Sequence, residues 1–559
     1  MKHLSKLFNY ILTFLLLSII SFGLFSFTKS DQYFEIAKNI DIYTTLYKEL
    51  NTYYVDDIQP AELMRTGIDA MLKSLDPYTD FISEAEMEDY RFQTTGKYGG
   101  VGSLIMEQDG YVIISEPYEG SPSQKAGILA GDKILKVDGK NLKGKSSDDV
   151  SKALKGQPNT PVELTILRLQ ADGKEKEITI TLNREEIHVY NVPYYGMIND
   201  NVGYILLEHF YSDAGKEVRD ALQDLKTKHN IKSVILDLRG NPGGLLNEAV
   251  NVSNAFIDKD QDIVYTRGKV EEWDKSFKTL MSAIDKEIPL VVLTNSGSAS
   301  ASEIVSGSIQ DLDRGVIIGQ LTYGKGLVQT TRPLSYNTKL KVTTAKYYIP
   351  SGRCIQAINY AEKGPDGEVK RIPDSLKVAY KTKAGRVVYD GGGIEPDVKL
   401  EPELLSNIAF TLIEKNLIFN YATIYRAKHP EIKKALEYKF TDADFEDFVN
   451  YLSTKEYKYS TDSEKNLEEL EKTAKEEKYY EALKDQINEL HKKLALDKKN
   501  DIYKQKTELI SLLEEEIAER YYYRKGRIEA SFGNDKEIQR AIEVLSNTNT
   551  YNTYLAPKK

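Results

Sequence analysis

Apolar positions in the first hundred residues follow two different patterns. Leu7 to Phe27 reads LFNYILTFLLLSIISFGLFSF without one charged residue, behind a short basic start of Lys2, His3 and Lys6. A run of about 20 such residues is long enough to cross a bilayer, and positive charges before it favour an N-in orientation. Residues 1–30 are therefore expected to be a signal peptide or membrane anchor, with everything after Lys29 exported. A buried core helix is the competing reading. From residue 31 the pattern steps by three and four: Ile36, Ile40, Tyr43, Leu46 and Leu50, then Leu63, Ile68, Met71 and Leu72 in a second helix from Ala61 to Leu75. Asp76-Pro77 breaks that helix into a turn, and residues 31–97 form the expected N-terminal helical region.

At Tyr98 the period changes to two. Residues 98–186 predict short strands at Tyr111–Ser115, Lys133–Val137, Val162–Arg168 and Glu177–Leu182, with helical patches at Pro122–Ala126 and Ser147–Leu154. Residues 187–400 alternate strand and helix. Strands are expected at Val202–Leu207, Ser233–Leu238, Pro289–Thr294 and Arg314–Gly319, with an amphipathic helix at Ala214–His229 and another running through Leu312. That rhythm implies a mostly parallel sheet with helices packed on it. From 401 to 559 the composition shifts to Lys, Glu, Tyr and Leu. Leu483, Ile487, Leu490 and Leu494 step by helical intervals, which suits helices packing on each other or on the core better than a coiled coil.

Charge and cysteine content narrow the chemistry. The 559 residues carry 75 basic and 85 acidic side chains, a net of −10, which argues against nucleic acid as a partner. Cys354 is the single cysteine, so no intrachain disulfide or Cys/His metal cluster can form, and Cys354 itself is read as a bystander. No metal or cofactor is implied.

Two segments have the makings of a nucleophilic site. Asn295-Ser296-Gly297-Ser298-Ala299-Ser300-Ala301-Ser302-Glu303 lies between an apolar strand and a helix. A serine at a helix N-terminus sits where free N–H groups and the dipole favour developing negative charge. The same spacing, Ser300 to Glu303, is equally a helix-capping box. Of the six histidines, only His209, ending the strand GYILLEH, is placed to be a base. A lysine base must be neutral, which requires burial. Lys325 lies between Gly324 and Gly326, glycines that let another backbone approach, although a solvated turn has the same look. Gly319 to Lys325 also matches the start of a phosphate-binding loop, but Gly326 stands where Ser or Thr must hold magnesium, and LVQTTRPL reads as strand or loop.

Taken together, SASASE, then YGKGLVQ with its lysine 25 positions after Ser300, ILDLRGNPGG, YYIPSGR, SLDPYTDF and YGGVG resemble the C-terminal processing (tail-specific) peptidases. The resemblance covers about residues 35 to 400. It implies a multidomain α/β protein: a crotonase/Clp-protease-like core at 187–400, a β-rich PDZ domain at 98–186, and helical regions on either side. It implies Ser300 as nucleophile, Lys325 as general base and Gln329 orienting the amine. It further implies oxyanion donors from Gly243 or Gly244 and from Ala301, with Asp237 and Arg239 holding the loop. Gly99, Gly100, Val101 and Gly102 would present N–H groups to a peptide's terminal carboxylate, the peptide adding as a strand. Arg168 is either a switch contact there or a surface salt bridge. Substrates would be exported proteins with accessible apolar C-termini, in the periplasm or at the inner membrane facing it. A homo-oligomer and membrane association through the N-terminal segment are compatible with this reading. The rival is a catalytically silent PDZ adaptor on a protease scaffold.

Overall fold

The computed structural model describes residues 33–363 and 369–557; the expected anchor lies outside them. Among the described residues no helix is long and apolar enough to cross a membrane. The chain forms two compact units divided between Phe81 and Ile82. In the first, helix α1 (33–53) lies against α2 (Pro60–Lys73), and the Tyr47 hydroxyl donates to the Pro60 carbonyl at 2.7 Å. Proline suits the first turn of α2, where its missing N–H is not needed. Asp76 shapes the turn after it, accepting from the N–H groups of Tyr78 and Thr79, both at 2.8 Å.

After a short helix at Met87–Thr95, the second unit continues as a β-rich domain. Strand β1 (Lys97–Gly100) leads to β2 (Ser103–Gln108), β3 (Tyr111–Pro117), β4 (Lys133–Val137), helix α3 (Ser147–Leu154), β5 (Pro161–Leu169), β6 (Glu175–Asn183) and β7 (Glu185–His188). The sheet order is β2-β3-β4-β5-β6, antiparallel throughout, and β1 pairs with β7 where the chain enters and leaves. Val112, Ile114, Ile134, Leu164 and Ile166 face a core closed by Val150 and Leu154 of α3. Strand β2 is the sheet's edge.

The α/β core follows. Its elements are β8 (Tyr194–Met197), β9 (Val202–Leu206), α4 (Ala214–His229), β10 (Ser233–Asp237), α5 (Leu246–Ser253), β11 (Asp262–Gly268), β12 (Lys275–Lys278), β13 (Leu290–Thr294), α6 (Ala301–Asp311), β14 (Val316–Gly319), β15 (Leu327–Pro333), β16 (Lys339–Tyr348) and β17 (Val398–Lys399). The main sheet runs β8-β9-β10-β13-β14-β17, parallel except for β8. Every residue of β10, β13 and β14 is buried, as strands covered on both faces require. A second, antiparallel sheet pairs β16 with both β11 and β15, and β11 with β12. These long-range pairings left no local signal in the sequence. Strand β15, not a helix, follows the phosphate-loop-like segment, so that resemblance fails on topology.

The tail is helical: α7 (Asn407–Glu414), α8 (Leu417–Lys428), α9 (Asp442–Leu452), α10 (Asp462–Glu476), α11 (Tyr480–Lys499), α12 (Lys506–Ser531), α13 (Lys536–Ser546) and α14 (Thr548–Leu555). Of the heptad-like residues on α11, Ile487 is buried whereas Leu483 and Leu490 stay exposed, so the seam closes only in part. Phe445, Phe448, Leu509, Leu513 and Ile517 build a core of the tail's own. Ile528, Phe532, Ile538, Ala541 and Val544 instead cover one face of the main sheet, against Ile235, Val291 and Ile318. Helices α4, α5 and α6 cover the other face. The end of the tail is thus the third layer of the core, and α12 joins the two hydrophobic clusters.

Candidate active site

Ser300 stands at the turn between β13 and α6 with φ 54° and ψ −109°. A positive φ at a non-glycine residue is strained and persists only where its surroundings enforce it. The enforcing group here is Glu303. Its side chain is completely buried, and its Oε2 accepts from the N–H of Ser300 at 2.8 Å and of Lys325 at 2.9 Å. Its Oε1 accepts from the Gly324 N–H at 2.7 Å and the Thr322 hydroxyl at 2.6 Å. One carboxylate therefore fastens the backbones of both dyad candidates. Burial pushes its pKa up to about 7, against the four donors, which pull it down. The capping-box spacing was legible; the partners from the next loop were not.

Tyr347 adds a second tie. Its buried hydroxyl lies 2.6 Å from the Lys325 carbonyl and 3.1 Å from that of Ser300. The glycines beside Lys325 serve close approach, not a solvated turn. A Cβ on Gly324 would fall 2.4 Å from the Ala357 Cβ, and one on Gly326 2.7 Å from the Gln356 nitrogen. Gln329 lies on β15 just past a bulge, and its amide donates to Thr343 Oγ1 on β16 at 3.1 Å.

The loop after β10 packs directly on Ser300. A Cβ on Gly243, whose φ is +99°, would meet Ala299 O at 2.7 Å and both Ala301 N and Ser300 Cβ at 2.8 Å. Buried Asn241 shapes this loop: its Nδ2 donates to the Leu207 carbonyl at 2.7 Å and its Oδ1 accepts the Gly243 N–H at 2.9 Å. In this structure the Gly243 N–H is therefore occupied by Asn241. The N–H groups of Gly244 and Ala301 have no hydrogen-bond partner among the described residues. His209, the alternative base, stacks on Tyr211 at 4.6 Å, has its pKa lowered by burial, and makes no hydrogen bond to Ser300.

Residues 201–369 match the family model for Peptidase family S41, residues 113–168 that for a PDZ domain, and residues 408–545 that for a probable PDZ-protease C-terminal helical domain. The carboxy-terminal-processing protease of Bartonella bacilliformis is 36% identical over 344 residues, covering 61% of this chain and 77% of that protein. The chain belongs to the carboxy-terminal-processing protease family. A probable CtpA-like serine protease of Staphylococcus aureus is likewise 36% identical, over 66% of this chain and 71% of the relative. Among solved structures, the photosystem II D1 C-terminal processing protease is 28% identical over 65% of this chain and 93% of its own, with a TM-score of 0.35.

The protein is accordingly a serine-type peptidase with an S41 core, a PDZ domain and a helical C-terminal region. Within the PDZ domain the sequence-predicted loop is shorter than expected. Gly99 and Gly100 belong to the β1–β7 ladder, which leaves Val101 and Gly102 to turn the chain into edge strand β2. Arg168 faces its own domain: it grips buried Asp132 through Nε at 2.8 Å and Nη2 at 2.6 Å, and also donates to the Gly127 carbonyl. It is an internal ion pair of the PDZ domain. A cavity of about 1220 Å³ runs from Leu104 on β2, past Tyr118 and His209, to Arg239 and Pro242 of the loop before Gly243.

The tail borders the same cavity. At Tyr523, φ 55° and ψ −158° interrupt the helical geometry of α12. The next residue, Arg524, pairs with Glu208 of the core. Its backbone N–H reaches Glu116 of the PDZ domain, whose pKa burial lifts to about 7. Cys354 is partly buried, and burial raises its pKa, which is the opposite of an activated thiol.

Proposed function

We propose that the protease cleaves exported proteins after recognising their C-terminal tails, with Ser300 as nucleophile and Lys325 as general base. The observation that carries this reading is the single buried carboxylate of Glu303, which holds the Ser300 and Lys325 backbones together. Neutral Lys325 takes the Ser300 Oγ proton as the oxygen attacks the scissile carbonyl carbon. The N–H groups of Gly244 and Ala301 receive the resulting oxyanion. Collapse breaks the C–N bond, the leaving amine takes from Lys325 the proton that came from Ser300, and water then hydrolyses the acyl-enzyme. Gln329 steadies the lysine amine from β15. Because the lysine must be neutral, hydrolysis rises with pH.

In this reading the PDZ domain captures the tail by adding it to edge strand β2, with its carboxylate at the Val101–Gly102 turn. The cavity from Leu104 to Pro242 gives the chain a path toward Ser300. The apolar segment at Leu7 to Phe27 directs the protein across the inner membrane or tethers it there, facing the periplasm. The test is a pair of variants, Ser300→Ala and Lys325→Ala, assayed for peptide hydrolysis and fluorophosphonate labelling. Both are expected to lose hydrolysis to a similar extent, because dyad members act as a unit. Near-normal turnover in Lys325→Ala would overturn the lysine assignment, and labelling that persists in Ser300→Ala would overturn the nucleophile.

A further inference from the structure

Arg239 opens the loop that ends at Gly243-Gly244, and its guanidinium is surrounded by three carboxylates. Asp237, at the end of β10, accepts from Nε at 3.0 Å and Nη2 at 2.5 Å. The other two come from far along the chain. Asp535 stands 2.8 Å from Nη2, and Glu537 accepts from Nη1. Asp535 also caps α13, taking the N–H groups of Glu537 at 3.0 Å and Ile538 at 2.9 Å, while Glu537 accepts from Gln320 Nε2 at 2.5 Å. The tail thus grips both the loop before Gly243 and the end of β14. Asp237 alone suffices to neutralise Arg239, so the two distant acids are not needed for charge balance.

We infer that Asp535 and Glu537 are positioning residues for the peptidase reaction, acting through Arg239 on the loop that carries Gly244. The inference rests on reading the Gly244 N–H as an oxyanion donor. An arginine fork held by carboxylates on two sides has a fixed plane, and its main chain is fixed with it. Downstream the loop is held to the nucleophile's turn: Gly240 N–H donates to Asn295 Oδ1 at 2.8 Å, and Ala299 N–H to the Asn241 carbonyl at 3.0 Å. Releasing the tail's grip leaves Asp237 alone to hold the upstream end, through the Arg239 N–H at 2.9 Å and the guanidinium, so the loop is held from one side instead of two. A donor that serves the transition state alone must be held to within a fraction of an ångström, so the loss falls on turnover and not on substrate capture.

The experiment uses the full chain carrying Asp535→Asn together with Glu537→Ala. Asparagine keeps the helix cap while removing the charge from Arg239. Val544→Ala is the structural control: fully buried Val544 fixes α13 on the sheet and does not touch Arg239. The double variant is expected to lose about tenfold or more in kcat with KM within about twofold, while Val544→Ala lowers Tm and keeps kcat within about twofold. Normal kcat in the double variant overturns the inference, as does an equal kcat loss in Val544→Ala, which would mark general loosening. Ser300→Ala is assayed alongside. Its inactivity combined with a normal double variant sinks this inference alone, whereas hydrolysis by Ser300→Ala sinks the functional reading beneath it.

Discussion

Glutamine in place of Glu303 separates what the buried carboxylate does for activity from what it does for stability. The carboxylate accepts four hydrogen bonds, two on each oxygen. Glutamine has one accepting oxygen. Placed at the Oε2 position, it keeps the Ser300 and Lys325 N–H groups. Its amide nitrogen then faces the Thr322 hydroxyl, which can turn to accept, and the Gly324 N–H, which cannot. The Gly324 N–H is left without an acceptor and the turned Thr322 hydroxyl gives up its own, a local cost of about 1–3 kcal/mol. Protonated Glu303 carries the same deficit, so glutamine imitates the acid form. The folded pKa lies near 7 and the ordinary value at 4.5, so the folded state keeps a proton that the unfolded chain has already lost. The stability this contributes is full below the ordinary value and is lost as pH rises through about 7, a change of about 3 kcal/mol. Wild type should therefore lose about 3 kcal/mol relative to Glu303→Gln between pH 4 and pH 8, measured by urea unfolding. At pH 8 the variant should be at least as stable yet turn over a peptide about tenfold or more slowly, because the dyad's shared anchor is incomplete. Wild-type kcat in the variant at pH 8, or a stability difference independent of pH, would refute the reasoning.

Three further outcomes follow from particular contacts. Gly243→Ala places a Cβ 2.8 Å from Ala301 N at a φ of +99°, so turnover should fall by at least about a hundredfold, with a correctly folded chain by circular dichroism. Arg168→Ala leaves Asp132 buried without its guanidinium, and should cost about 1–3 kcal/mol in thermal unfolding of the PDZ domain while sparing short-peptide hydrolysis. Amidating a substrate's C-terminus removes the charge that a backbone N–H loop reads, and should raise KM or lower turnover; equal cleavage of acid and amide would remove the tail-reading proposal.

Local pattern carried the sequence reading far in some regions and not at all in others. Lys133–Val137, Ser147–Leu154 and Ala214–His229 have the boundaries that their periodicity predicts, because each pairs one apolar face with clear turn or cap residues. Of the sheet built from β11, β12, β15 and β16, only β15 was legible, as strand or loop: its pairings join residues up to about eighty positions apart, and its strands are half exposed. The same distinction governs the site. Ser300 and Glu303 announced themselves by spacing, whereas Thr322, Gly324 and Lys325 reach Glu303 only through the parallel packing of β13 on β14. The tail is the extreme case. Nothing in a Lys- and Glu-rich stretch showed that Asp535 and Glu537 would meet an arginine about three hundred residues earlier.

The break at Tyr523 divides more than a helix. Residues before it lie in the tail's own hydrophobic cluster, with Leu509, Leu513 and Ile517, and residues after it in the cluster on the main sheet, with Ile528. Helical hydrogen bonding is cooperative only along an unbroken ladder, so opening that begins on one side has a natural stopping point at this residue. The chain therefore contains two cooperative blocks that fold back on each other at the break, where Arg527 pairs with Glu516 and Glu519. Amide exchange should rise in steps rather than smoothly along α12, with Lys506 to Tyr522 opening as part of the tail and Arg524 to Ser531 staying closed until the peptidase core itself unfolds.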